Sequence, residues 1–167
     1  MVNQERKHLS IFLLMAVTVF AQVQTVTYSI NPATFEDTTP ITITINGSSV
    51  NETSWGISAT HALYLWSWSY DVNDTNQMDS PSNGSWTASN EASKFTYNAG
   101  TDTYTKTITP STYFSRNGIG RIGFLVKTKD GTGDKKSQDI TVEVGSFQAS
   151  LTSPVENSTS IIASGAN

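Results

Sequence analysis

Ala62-Leu-Tyr-Leu-Trp-Ser-Trp-Ser-Tyr70 is the densest run of rings in the chain, and its reading decides the fold. Successive side chains of a strand point to opposite faces, so Tyr64, Trp66, Trp68 and Tyr70 share one face while Leu63, Leu65, Ser67 and Ser69 share the other. Leu63 and Leu65 suit a core, whereas Ser67 and Ser69 predict that the strand leaves the core in its second half. The ring face has two readings. It is either the buried face of a sandwich, since aromatic residues favour strands, or an outward platform on which sugar rings stack. Tyr64 is expected in the core; Trp68 and Tyr70, next to a polar loop, are expected to meet a ligand.

Working outward, short alternating segments surround this strand. Thr25 to Asn31, Ile41 to Ile45, Lys94 to Tyr97, Thr103 to Thr109, Gly120 to Lys129 and Gln138 to Val144 each read as strands. They are punctuated by Asn31-Pro32, Asn46-Gly47, Asn98 to Asp102, Pro110 and Asp130-Gly131. With no long helical pattern, they predict an all-β fold, an immunoglobulin-like antiparallel β-sandwich of about seven strands. Asp71 to Lys94 is a polar stretch of about two dozen residues, and loops of that length are usually functional.

The two ends read differently from the middle. Residues 1–21 combine the basic Arg6, Lys7 and His8 with an apolar run from Ile11 to Phe20 and a small-residue cleavage site at Val19-Phe20-Ala21, the pattern of a signal peptide. Residues 22–149 are expected to form the β-sandwich domain. Residues 150–167 read as a linker and the truncated start of a further β domain, so the chain is expected to be a segment of a longer secreted or cell-surface protein, without a membrane anchor of its own.

Composition narrows the function. The chain has no Cys, a formal charge of −4 and only 14% charged residues, which excludes disulfides and thiolate metal sites and offers no basic stripe for nucleic acid. Removal of Glu5, Arg6 and Lys7 with the leader leaves 8 basic and 13 acidic residues, a net of −5. His61 is then the single histidine and is expected as an exposed turn residue. Asp71, Asp74 and Asp79 lie in one loop and Asp130, Asp134 and Asp139 around another, away from the rigid opposed positions that glycoside hydrolysis requires. No catalytic residue is therefore assigned, although a parent protein could carry a hydrolase elsewhere. The run Asp71 to Asp79 places oxygen ligands closely enough for calcium but lacks the Gly and terminal Glu of an EF-hand loop, so no metal and no cofactor is assigned, with calcium as the minor alternative.

The same region suits carbohydrate better. Rings meet the polarised C–H groups of a pyranose while amides and carboxylates bond its hydroxyls. Trp66, Trp68 and Tyr70 supply rings, and Asn73, Asp74, Asn76 and Gln77 follow at once; Trp55 and Trp86 are further candidates, each alternatively a lid over the sandwich edge. The rival readings are a structural immunoglobulin-like spacer and a protein-binding or adhesion module.

The order Val26-Thr-Tyr-Ser-Ile-Asn-Pro, Ile41-Thr-Ile-Thr-Ile, Trp55-Gly56, Leu63-Tyr-Leu-Trp-Ser-Trp, Tyr104-Thr-Lys-Thr-Ile-Thr-Pro and Arg121-Ile-Gly-Phe-Leu-Val-Lys resembles the starch-binding-type β-sandwich at the N-terminus of secreted bacterial alpha-amylase-family proteins. It is also similar to the outer-membrane starch-binding lipoproteins. The resemblance runs from about Val23 to Val144 and rests on the order of individually weak motifs. It implies a non-catalytic module that binds α-glucan, with ligand rings at Trp55, Tyr64, Trp66 and Trp68. The long loop from Asp71 to Lys94 departs from the pattern and leaves open which of Trp66, Trp68 and Trp86 is used. The lack of a lipoprotein Cys after the leader argues for secretion over a lipid anchor.

Overall fold

The structure, a computed structural model, describes residues 24–145. The expected signal peptide over 1–21 and the expected linker and domain start over 150–167 lie outside the described residues.

Ile41-Thr-Ile-Thr-Ile shows how local pattern becomes architecture: Ile41, Ile43 and Ile45 are fully buried, while Thr42 and Thr44 look outward. This strand, β2 (Ile41–Asn46), follows β1 (Tyr28–Asn31), and the chain then makes the one-turn helix α1 (Glu52–Trp55) before the aromatic strand β3 (Tyr64–Asp71). Three two-residue strands, β4 (Met78–Asp79), β5 (Gly84–Ser85) and β6 (Ala88–Ser89), form inside the expected polar loop. Next come β7 (Thr96–Asn98), β8 (Thr103–Ile108), the short helix α2 (Pro110–Tyr113), β9 (Ile119–Lys127) and β10 (Ile140–Glu143). Pro110 thus opens a helix at its first position, where a missing N–H is tolerated.

Two four-stranded sheets, in the orders β1-β2-β8-β7 and β10-β9-β3-β4, are paired antiparallel throughout, and β5 and β6 form a separate hairpin. This strand order is that of an immunoglobulin-like sandwich. Between the sheets lie the three isoleucines of β2, Leu63 and Leu65, Ile122, Phe124 and Val126 of β9, and Ile140. Each such side chain stabilises the fold by about 1.5–3 kcal/mol relative to exposure.

Two expectations are corrected here. Ser67 and Ser69 do not leave the core: both are buried, because α2 and the segment after it close that end of the sandwich. The Arg116 guanidinium reaches over the strand to the Asn76 carbonyl at 2.9 Å, and Ser80 Oγ donates to the Tyr113 carbonyl at 3.1 Å. Burial pushes the Tyr113 hydroxyl pKa up to about 12. Beyond the short β4, the free edge of β3 is completed by a side chain. Asn83 Oδ1 accepts from the Ser67 N–H at 3.0 Å and its Nδ2 donates to the Ser67 carbonyl at 2.8 Å, as a neighbouring strand would.

Trp55 is the second correction. Asn51 caps α1 by accepting from Ser54 N–H at 3.1 Å, and Gly56 ends it with φ at +73°, a conformation that side chains disfavour. This tight turn delivers Trp55 into the hydrophobic core, where a ring cannot stack on a ligand.

Candidate functional site: the outer face of the aromatic strand

Because Leu63 and Leu65 point inward, the rings of β3 lie on the outer face of its sheet. Strand register sets them in rows. Tyr64 stands beside Lys127, Trp66 beside Leu125, Trp68 beside Gly123 and Tyr70 beside Arg121; Thr141 and Glu143 of β10 continue the last two rows. Lys94 and Lys136 extend the first row on either side.

The rows are not an open platform. Tyr64 is buried, and its hydroxyl donates to Glu91 Oε1 at 3.0 Å, which also receives Lys129 Nζ at 2.5 Å. Burial, followed by this carboxylate, raises the Tyr64 pKa. Trp68, expected to meet a ligand, is only 9% exposed. Its indole lies across Gly123, where an added Cβ would stand 2.2 Å from Nε1 and Cε2. Only a glycine opposite lets the ring lie flat against the sheet.

Trp66 and Trp86 remain half-buried and form a pair, ring centroids 5.0 Å apart at 74°. The inner side of the pair is closed by Lys127, whose amine lies 4.9 Å from the Trp86 centroid and 5.7 Å from that of Trp66. Lys127 has no exposed surface and donates to Ser89 Oγ at 2.7 Å and to the carbonyls of Thr128 and Lys129 at 2.8 and 3.1 Å. All three ammonium hydrogens are thereby used. Desolvation still brings its pKa down to about 8. Trp86 Nε1 donates to the Gly131 carbonyl at 3.2 Å, which fixes the indole, and the Lys136 amine also lies 5.8 Å from its ring centroid.

At the other end, Tyr70 carries the Arg121 guanidinium 4.4 Å above its ring and donates its hydroxyl to Gln77 Oε1 at 3.1 Å. Arg121 Nη2 lies 2.6 Å from Asp74 Oδ1. Of the two residues expected as ligand amides, Asn76 has its side chain engaged by Asp71, whose carboxylate accepts from Asn76 Nδ2 at 2.5 Å, whereas Asn73 meets it only through its backbone N–H, which like that of Thr75 lies at 3.0 Å. The backbone bond from Thr75 and the Asn76 amide lead in holding the Asp71 pKa down to about 2. Asp71 therefore serves its own turn, and among the described residues no group of three or more His, Cys, Asp or Glu stands ready to hold a metal ion.

His61 is not an exposed turn residue. It is half-buried, its Nδ1 lies 2.9 Å from Glu52 Oε1, and its ring stacks on Tyr97 at 3.8 Å. The buried Tyr104 hydroxyl donates to the same Glu52 oxygen, and burial raises its pKa. This cluster braces the turn before β3 and lies away from the outer-face rows.

Lys127, Arg121, Asn83 and Glu91 were missed as members of this face. Alternation within β9 already sets Arg121, Gly123, Leu125 and Lys127 opposite Ile122, Phe124 and Val126. Which strand they flank required the register. Among the described residues no helix is long and apolar enough to cross a membrane.

The fold and this face define an antiparallel β-sandwich with an aromatic outer sheet. No protein-family model matches the chain, and no curated protein matches it.

Proposed function

We propose that this chain is a non-catalytic polysaccharide-binding module of a longer secreted or cell-surface protein, with an α-glucan as the ligand that the sequence resemblance names. The observation that carries the reading is the half-buried Trp66–Trp86 pair, held from behind by Lys127. Two indoles at 74° offer faces that are not coplanar, which fits a curved chain such as an α-linked glucan better than a flat ribbon. Burial of Trp55, Tyr64 and Trp68 reduces the ring surface, and by itself favours a structural spacer. The remaining pair is what separates the two readings. A site of two rings and a few hydrogen bonds should bind with a dissociation constant on the order of 10 µM to 1 mM.

Affinity electrophoresis of the chain in gels containing soluble starch tests this. Trp86→Ala should lose at least about tenfold in retention while the fold survives, since an edge-to-face pair contributes about 0.5–1.5 kcal/mol beyond burial. Unretarded migration of the wild-type chain, or unchanged retention in Trp86→Ala and Trp66→Ala alike, rejects the reading.

A further inference from the structure

The outer face holds two buried N–H donors without an acceptor: Trp68 Nε1 and Arg121 Nε. They belong to neighbouring rows, since Trp68 pairs with Gly123 and Arg121 stands two residues before it on the same face of β9. An unpaired buried donor is disfavoured, and a cluster of them marks a place where an acceptor is wanted. Directly beside them, the Arg121 guanidinium is met by a carboxylate from its own chain, Asp74, at 2.6 Å.

That carboxylate is held loosely. Asp74 is 57% exposed at its side chain and sits at φ +60°, and Asn76 sits at φ +52°, both in the left-handed region. The turn around them is closed on itself, with Asp74 N–H bonded to the Asp71 carbonyl at 3.0 Å and Asp71 N–H to the Thr75 carbonyl at 3.0 Å. Side chains tie it to the rest of the sandwich through Asp74 to Arg121, Gln77 to Tyr70 and the Asn76 carbonyl to Arg116. These contacts are polar and near the surface, and none of the residues making them belongs to the core between the sheets.

We infer that Arg121 and Trp68 form a receptor for the carboxylate of an acidic sugar, and that Asp74 occupies its place in the free protein. On binding, one carboxylate oxygen of the ligand replaces Asp74 on the guanidinium and the other accepts from the donors now unpaired. The charge facing Arg121 is unchanged, because the ligand substitutes for Asp74 while Glu143, its neighbour on β10, stays in place. The Tyr70 ring, already stacked under the guanidinium, keeps the fork flat against the sheet. This inference rests on the reading of the outer face as a glycan site and assigns it a uronic-acid-bearing chain.

The test compares retention of the full chain by polygalacturonate and by soluble starch, for the wild type, Asp74→Asn and Arg121→Lys. The chain carries a net charge of −4, so a polyanion has no general attraction to it. The expected result is retention by polygalacturonate that strengthens about fivefold or more in Asp74→Asn, where the competing carboxylate is gone, and weakens at least tenfold in Arg121→Lys. Should Arg121→Lys not fold, Asp74→Asn decides alone. Retention by starch without polygalacturonate overturns the inference and leaves the glycan reading standing; retention by neither overturns both. Polygalacturonate binding indifferent to Asp74 and Arg121 also overturns it.

Discussion

Trp68 lies flat on Gly123, close enough that a single methyl group on the glycine would stand 2.2 Å from the indole nitrogen. The contact is between a central strand and a large ring, and neither can retreat cheaply. Gly123→Ala should therefore destabilise the domain by about 1–3 kcal/mol, the usual range for overpacking a filled site. Denaturant unfolding measures the loss, and a red-shifted tryptophan emission should accompany it as the indole is levered toward water. An unchanged midpoint and emission would show that the ring does not rest there.

Asn83 closes the edge of β3 with two hydrogen bonds to the backbone of Ser67. Asn83→Ala should leave a buried N–H without its partner and weaken the bonding of the carbonyl, at about 1–3 kcal/mol for an orphaned buried group. The carbonyl keeps a second donor, the Ser80 N–H at 3.0 Å, so the loss should be nearer one orphan than two. Amide hydrogen exchange provides the check: protection at Ser67 should fall selectively.

Lys127 makes stability depend on pH in the alkaline range. Its pKa falls from 10.5 to about 8 on folding, because burial disfavours the charged amine. Between about pH 8 and 10.5 the unfolded chain therefore holds a proton that the folded chain has released, and stability rises with pH across that window. Tyrosines act in the opposite sense: Tyr64, Tyr97 and Tyr104 have raised pKa values, so stability is lost above pH 10 as the unfolded chain ionises first. Thermal melts from pH 7 to 11 should pass through a maximum near pH 9–10, and Lys127→Met should flatten the rising limb. A steady decline from pH 7 upward would contradict the burial of Lys127.

Tyr104 donates its hydroxyl to Glu52, which also faces His61. Tyr104→Phe keeps the ring in the core and removes this bond to a carboxylate, at a cost of about 1.5–3 kcal/mol. Since the cluster lies away from the outer-face rows, starch retention should not change. A variant that loses glycan binding while remaining folded would place the ligand at the His61–Tyr97 stack instead.

Much of the fold was legible because strand alternation is a local property of the backbone. Ile41, Ile43 and Ile45 had to share a face whatever they packed against, and so did the four rings of β3. Less was legible where one part of the chain covers another. Ser67 and Ser69 read as a strand leaving the core, yet Tyr113 and Arg116, more than forty residues away, make that end a buried polar layer. Trp55 reads as a candidate ligand ring, alternatively a lid over the sandwich edge, and the tight turn of Asn51 and Gly56 folds it inward.

The sequence by itself determined a cysteine-free β-sandwich with Tyr64, Trp66, Trp68 and Tyr70 on one side of a strand, because composition and the two-residue repeat need no partner to be expressed. Only the tertiary structure decided that this side faces out, that Trp68 is laid against Gly123 while Trp66 meets Trp86, and that Lys127 is held uncovered by any counter-ion in hydrogen-bonding contact. The physical reason is that exposure, pairing and desolvation are properties of register and loop path, which are set by contacts between residues distant in the chain.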